Sequence, residues 1–237
     1  MAVPAREGLL SESVSHALGY PGVLAREPTV LGMADEATAS VADIELGRRT
    51  PVLALGSNGS LPTLRAKLLA AGVSPIVPLF PALVTGMAPT HSAHVSLGGY
   101  VAATPVENRD GVARGVLAWF TRTQLAALDV SEPNYVRQSA RAQRYPLSVL
   151  GGPAPVRFWV YRSIWGVLTH DGRPLRLRPQ ASLHRALEDD ATLAGQLPLG
   201  DPVASVRRLR LRSTRLWVRR HWSRSGQACA DGLRLDT

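Results

Sequence analysis

The chain is poor in the residues that build cross-links and soft metal sites. Its 237 residues include one cysteine, Cys229, which excludes an internal disulfide and a thiolate-rich metal cluster. It has a single lysine, Lys67, among 27 basic residues, and this preference for arginine, with abundant Ala, Gly and Pro, points to an arginine-biased coding sequence. No run of about 18 uncharged apolar residues occurs, so no membrane-spanning helix is expected. The first residues, MAVPAREGLLSES, lack a basic-then-apolar export pattern, and the expectation is a soluble, cytoplasmic protein. No internal repeat or low-complexity tract is present.

Acid is missing from one stretch. Between Pro202 and Ala230 stand eight arginines, Arg207, Arg208, Arg210, Arg212, Arg215, Arg219, Arg220 and Arg224, and no Asp or Glu. Most of the net charge of +9 therefore lies in this segment, and the remaining body is nearly neutral. Such a field attracts nucleic acid, anionic lipid or an acidic protein, and a solvated helix or strand face is the simpler alternative.

A hydrophobic content of 45% suffices for a substantial core. The expected organisation is an amino-terminal extension packed on the body (1–47), one domain (48–200) and the arginine-rich segment (201–237). The domain begins with PVLALGSNGSLPTLRAKLLAAG, Pro51 to Gly72. Val52 to Leu55 are apolar and too short for a helix, so they read as a buried strand. Gly56 and Gly59 permit a sharp turn through positive φ, with Ser57, Asn58 and Ser60 as local hydrogen-bonding groups. Ser60 is a candidate N-cap, Leu61, Leu64, Leu68 and Leu69 share a helical face, and Gly72 is placed to end the helix. A strand, polar loop and helix in this order gather backbone N–H groups that suit a carboxylate or an oxyanion.

Further along, Pro75, Pro78 and Pro81 are expected to break the chain before a short strand at 82–86. Strands at 95–97 and 100–103 flank Gly98-Gly99 as a hairpin. ENRDG, Glu107 to Gly111, reads as a polar turn, and Arg114 to Phe120 as a central strand. Thr121 and Gln124 have capping-box spacing for a helix through Asp129, with Leu125 and Leu128 on its buried side. Strands are expected at 135–139, 156–161, 167–168 and 175–177, and a helix at 181–197. Hairpins mixed with helices indicate an α+β fold with a mixed, closed sheet.

Two separated segments, LALGSN and GVLAWFTRTQLAALDVSEPNYVR, together resemble the γ-glutamyl cyclotransferase-like superfamily. The matching residues are Gly56, Ser57 and Asn58, then Leu128, Asp129 and Glu132 in LDxxE, followed by Tyr135 and Arg137. The resemblance implies a barrel-like sheet and a reaction in which the substrate's α-amine attacks its own γ-carbonyl, closing 5-oxoproline and expelling an amine. Such a reaction needs no enzyme nucleophile, metal or organic cofactor, only proximity, a base and oxyanion donors. On this basis Glu132 is the general base and acid. Leu55, Gly56, Ser57 and Asn58 would hold a small-molecule amide substrate, with Tyr135 and His94 beside them. Two positions depart from the pattern. Leu55 stands where the family usually has Tyr, and Pro133 where Gly is common.

His91 and His94 are three apart. On a helix they would share a face and suit a metal, but the surrounding Gly, Pro and Thr favour a strand, where they point to opposite sides. His94 is then the candidate for the pocket, since SAHVS would run beside the GSN strand. Trp119, Trp159, Trp165, Trp217 and Trp222 suit a core or an interface, with stacking on bases open to Trp217 and Trp222. Two functional classes follow. One is a cyclotransferase or related lyase acting on a γ-glutamyl amide. The other is a binding protein on the same scaffold, contacting nucleic acid or another acidic partner through the pocket, the amino-terminal extension or the basic segment Arg207–Arg224.

Overall fold

A computed structural model describes residues 14–33 and 40–236. The acids Glu7, Glu12, Asp35 and Glu36 of the expected extension lie outside the described residues. In chain order the elements begin with α1 (helical at residues 14–18), β1 (Thr29–Leu31), β2 (Thr50–Ala54), α2 (Leu61–Ala70), β3 (Val77–Val95) and β4 (Val101–Phe120). They continue with α3 (Arg122–Ser131), β5 (Tyr135–Arg141), β6 (Leu147–Val149), β7 (Arg157–Ser163), β8 (Val167–His170) and β9 (Arg173–Pro174). The remaining elements are α4 (Gln180–Leu187), α5 (Ala191–Ala194), α6 (Pro202–Leu209), α7 (Arg212–Arg224) and β10 (Ala228–Cys229). The fold is α+β, and no described helix is long and apolar enough to cross a membrane.

The chain forms two compact units, each discontinuous in sequence. Of the described residues, the larger takes 23–33, 40–89, 103–164 and 230–236, and the smaller takes 14–22, 90–102 and 165–229.

In the larger unit the strands run β3-β4-β2-β7-β5, with β1 and β6 on the other side of β3. β2 lies antiparallel to β4 (Val52↔Ala118) and parallel to β7 (Val52↔Trp159), so the apolar run read from the sequence is a central strand. Successive residues feed opposite faces. Val52, Val116 and Ala118 pack with Leu64, Leu68, Leu125 and Leu128 of α2 and α3, whereas Leu53, Leu55 and Leu117 pack with Phe80, Phe158 and Val160. Burial of Leu64 and Leu68, both at 0% exposure, stabilises the α2 contact by roughly 1.5–3 kcal/mol each.

The sheet is open, not the closed one expected. Among the described residues no pairing joins β5 to β1 or β6. The outer edge of β5 is taken instead by Asp236, whose N–H donates to Ser139 O at 2.8 Å, and β6 is only three residues long. Two further expectations fail. The prolines do not break the chain, since β3 runs through Pro78, Pro81 and Pro89. Proline lacks a donor but keeps its acceptor, and Pro81 O accepts from Leu150 N at 2.9 Å. ENRDG is not a turn either: β4 continues through it, with Glu107 N donating to Asp231 O at 2.8 Å and exposed side chains from Asn108 to Asp110.

In the smaller unit β8 pairs with β3 at Ser92↔Val167, and β9 and β10 pair with β8. The Gly98-Gly99 hairpin is present, with Gly99 at φ +82° and Ser96 N donating to Tyr100 O. Leu168, Leu183, Leu193, Val218 and Trp222 form the core. The single helix expected at 181–197 is two, α4 and α5. The chain breaks because Asp190 Oδ1 caps α5, accepting from Thr192 N and Leu193 N at 3.0 Å each. Asp190 Oδ2 pairs with His221 Nε2 at 2.6 Å. The arginine-rich segment forms α6 and α7. Val206, Leu209, Val218 and Trp222 are buried, while Arg207, Arg208, Arg212, Arg220 and Arg224 are exposed.

Candidate active site

The GSN loop follows β2 directly. Ser57–Gly59 form a 3-10 turn, closed by Gly59 N to Gly56 O and Ser60 N to Ser57 O, both at 3.0 Å. The expected positive φ is not used: Gly56 is extended (φ −139°, ψ −153°). Gly59 is required for a different reason. A Cβ there would stand 2.9 Å from Leu24 Cδ2 and 3.2 Å from Val116. Ser60 occupies the N-cap of α2 without a side-chain bond, and Gly72, at φ +67°, donates to Leu69 O as the helix ends. Among the described residues the backbone N–H groups of Ser57 and Asn58 donate to no protein acceptor.

The second half of the motif ends α3. Thr121 and Gln124 form the expected capping box, and Gln124 Nε2 also ties Ser74 O and Ile76 O at 2.8 and 2.9 Å. At the other end Asp129 is held by three bonds: Arg137 Nε at 2.8 Å, Arg137 Nη2 at 3.0 Å and Tyr161 Oη at 2.6 Å. Burial alone would raise the Asp129 carboxyl, but the bonds from Arg137 and Tyr161 outweigh it and hold the group below its ordinary range. Burial, followed by the Asp129 bond, pushes the Tyr161 phenol up, and Glu132 adds to that shift. The Arg137 guanidinium lies 4.7 Å from the centre of the Trp159 ring.

This anchor fixes Glu132, the C-cap of α3, whose N–H donates to Asp129 O and whose carbonyl accepts from Tyr135 N at 3.0 Å. Its side chain, 13% exposed, is turned to the GSN loop. Asn58 Nδ2 donates to Glu132 Oε1 at 2.9 Å. Lys67 Nζ, on α2, donates to the same oxygen at 2.5 Å and to Asn58 Oδ1 at 2.7 Å. Three polar side chains from three places in the sequence thus share one partly shielded cluster. An ammonium, an amide and a carboxylate so arranged can bind a zwitterion and move protons.

The other sequence candidates lie as follows. Leu55 is 7% exposed and packed in the core with Leu53 and Leu117, so only its backbone faces the loop. Gly56 and Ser57 line the turn beside Asn58. Tyr135 Oη donates to Ala103 O at 2.7 Å. His94 belongs to the smaller unit, where its Nδ1 lies 2.6 Å from Ser92 Oγ. Burial, with Arg219 nearby, lowers His94 to a pKa of about 4. No group of three or more His, Cys, Asp or Glu among the described residues could hold a metal ion. Lys67 was not a sequence candidate, although its being the only lysine was the available signal. Tyr161 carried no signal, because nothing in its strand sets it apart.

In sequence the chain matches no family model and no curated protein. In structure it is similar to the solution structure of At3g28950.1 from Arabidopsis thaliana, at 16% identity over 68% of this chain and 92% of that one, with a TM-score of 0.39. It is similar also to the solution structure of At5g39720.1 from Arabidopsis thaliana, at 14% identity over 66% and 92% of the two chains, with a TM-score of 0.38.

Proposed function

We propose that the chain is a γ-glutamyl cyclotransferase-like enzyme that releases an amine from a γ-glutamyl or related amide, with Glu132 as general base and acid. The observation that carries this is the 2.9 Å bond from Asn58 to Glu132, which joins the GSN and LDxxE segments in one cluster. In the reaction Glu132 takes a proton from the substrate's α-ammonium, and the freed amine attacks the γ-carbonyl carbon. The N–H groups of Ser57 and Asn58 then donate to the oxyanion. The C–N bond of the amide then breaks, and the leaving nitrogen is protonated. The direct test is incubation with a panel of γ-glutamyl dipeptides and γ-glutamyl amines while 5-oxoproline is measured. The proposal expects product from at least one member, and none from any would overturn it.

A second reading, a binding protein for nucleic acid or another polyanion, is favoured by the five exposed arginines of α6 and α7. Since these helices also carry core residues, the appropriate test is substitution and not deletion. Binding that survives Arg207, Arg208, Arg212, Arg220 and Arg224→Glu would refute it.

A further inference from the structure

We infer that Lys67 is a second proton-transfer group of this site, paired with Glu132. The inference rests on the cyclotransferase proposal and deepens it. In a chain with 27 basic residues, 26 of the positions are arginine and one is lysine, and that lysine lies 2.5 Å from Glu132 Oε1. Where only a fixed cation is needed, this chain uses arginine, as in the pairs of Arg137 with Asp129 and Arg162 with Asp231. Arginine cannot release its proton in a protein, whereas a lysine ammonium can. The one lysine thus stands where a proton must move.

The stoichiometry of the reaction gives it work. The substrate's α-ammonium carries three hydrogens, and the lactam nitrogen of 5-oxoproline carries one. The leaving nitrogen begins with one hydrogen and departs as an ammonium with three. Two protons therefore pass from one nitrogen to the other as the N–C bond of the ring forms and the amide C–N bond breaks. Glu132 accepts the first. The Lys67 ammonium donates to the leaving nitrogen, and the Glu132 carboxylic acid restores it. The Glu132 carboxylate then takes the second proton from the ring nitrogen and gives it to the departing amine. Both side chains end in their starting forms. Asn58, bonded to both, holds them in register at 2.9 and 2.7 Å.

The test compares kcat, KM and their pH profiles in the wild type, Lys67→Arg and Lys67→Met. A fourth protein, Cys229→Ser/Lys67→Cys, is treated with 2-bromoethylamine to rebuild a lysine-like amine with sulfur in the chain. Cys229 is exposed and is replaced so that only the new thiol reacts. Both single variants should lose kcat by about a hundredfold with little change in KM, the arginine as much as the methionine. Aminoethylation should restore most of the rate and so show that the scaffold is intact. The alkaline limb of the restored enzyme should move to lower pH, because sulfur makes the amine less basic. Full kcat in Lys67→Arg, no rescue, or rescue with an unmoved limb would overturn the role of Lys67. Absence of 5-oxoproline with the wild type would instead refute the cyclotransferase proposal itself.

Discussion

Asn58 and Glu132 lie 74 positions apart in sequence and share a hydrogen bond of 2.9 Å. The turn after β2 delivers the amide, and the end of α3 delivers the carboxylate. Both elements rest on one packed cluster through Leu64, Leu68, Leu125 and Leu128. A bond to a charged, shielded group contributes more than a neutral one. Asn58→Ala should therefore lower kcat/KM by about ten- to a hundredfold and also lower stability by about 1–3 kcal/mol, since its bonds to Glu132 and Lys67 are both lost. Steady-state kinetics on an active γ-glutamyl substrate, with a thermal melt of the same sample, check this. Unchanged kcat/KM would separate Asn58 from the chemistry.

Gly59→Ala should destabilise the protein by about 1–3 kcal/mol, the range for overpacking a filled site. Its Cβ would meet Leu24 Cδ2, in the segment before β1, at 2.9 Å and Val116, on β4, at 3.2 Å. Urea denaturation measures the loss. An unchanged urea midpoint in Gly59→Ala would contradict the account.

Tyr161→Phe removes one of the three bonds to Asp129 and should cost about 1–2 kcal/mol. It should also raise the titration midpoint of Asp129, because a bond that favours the carboxylate is gone. Carboxyl titration by NMR in the two proteins measures the shift. An unmoved midpoint would show that Arg137 alone sets the charge of Asp129.

Local signals in the sequence were reliable where one short segment decides the outcome. The Val52–Leu55 run, the Thr121–Gln124 capping box and the stop at Gly72 each depend on neighbours within a few residues. Failures came where distant chain supplies the partner. β3 passes through Pro78 and Pro81 because β1 and β6 arrive from elsewhere, and ENRDG is a strand because Asp231 pairs with Glu107. The closed sheet fails for the same reason, since Asp236 takes the edge of β5. Half of the candidate site, the GSN turn and Glu132, was legible as a motif. Lys67 was not, because it meets Glu132 only once α3 packs beside α2.

Acid should destabilise the smaller unit. His91, His94 and His184 are buried, and burial holds each at a pKa of about 4, below the ordinary 6.5, with Arg178 and His184 adding to the effect on His91 and Arg219 to that on His94. The unfolded chain therefore takes up these protons first as pH falls. The stability is fully present above about pH 7, declines between about 6.5 and 4, and loses nothing further from these groups below that, at up to about 3 kcal/mol each. His184 is the cleanest probe, since neither ring nitrogen has a hydrogen-bond partner among the described residues. In His184→Leu the urea midpoint should fall less steeply between pH 7 and pH 4 than in the wild type. An identical slope would exclude His184 as a source.

In the proposed reaction Glu132 moves the proton. Glu132→Gln keeps the shape and can still bond to Asn58 and Lys67, but it cannot accept a proton as a carboxylate does. The decisive measurement is the rate of 5-oxoproline release from the best substrate of the γ-glutamyl panel by wild type and Glu132→Gln. The account predicts a loss on the order of a hundredfold or more in the variant, with KM little changed. Full activity in Glu132→Gln would contradict it.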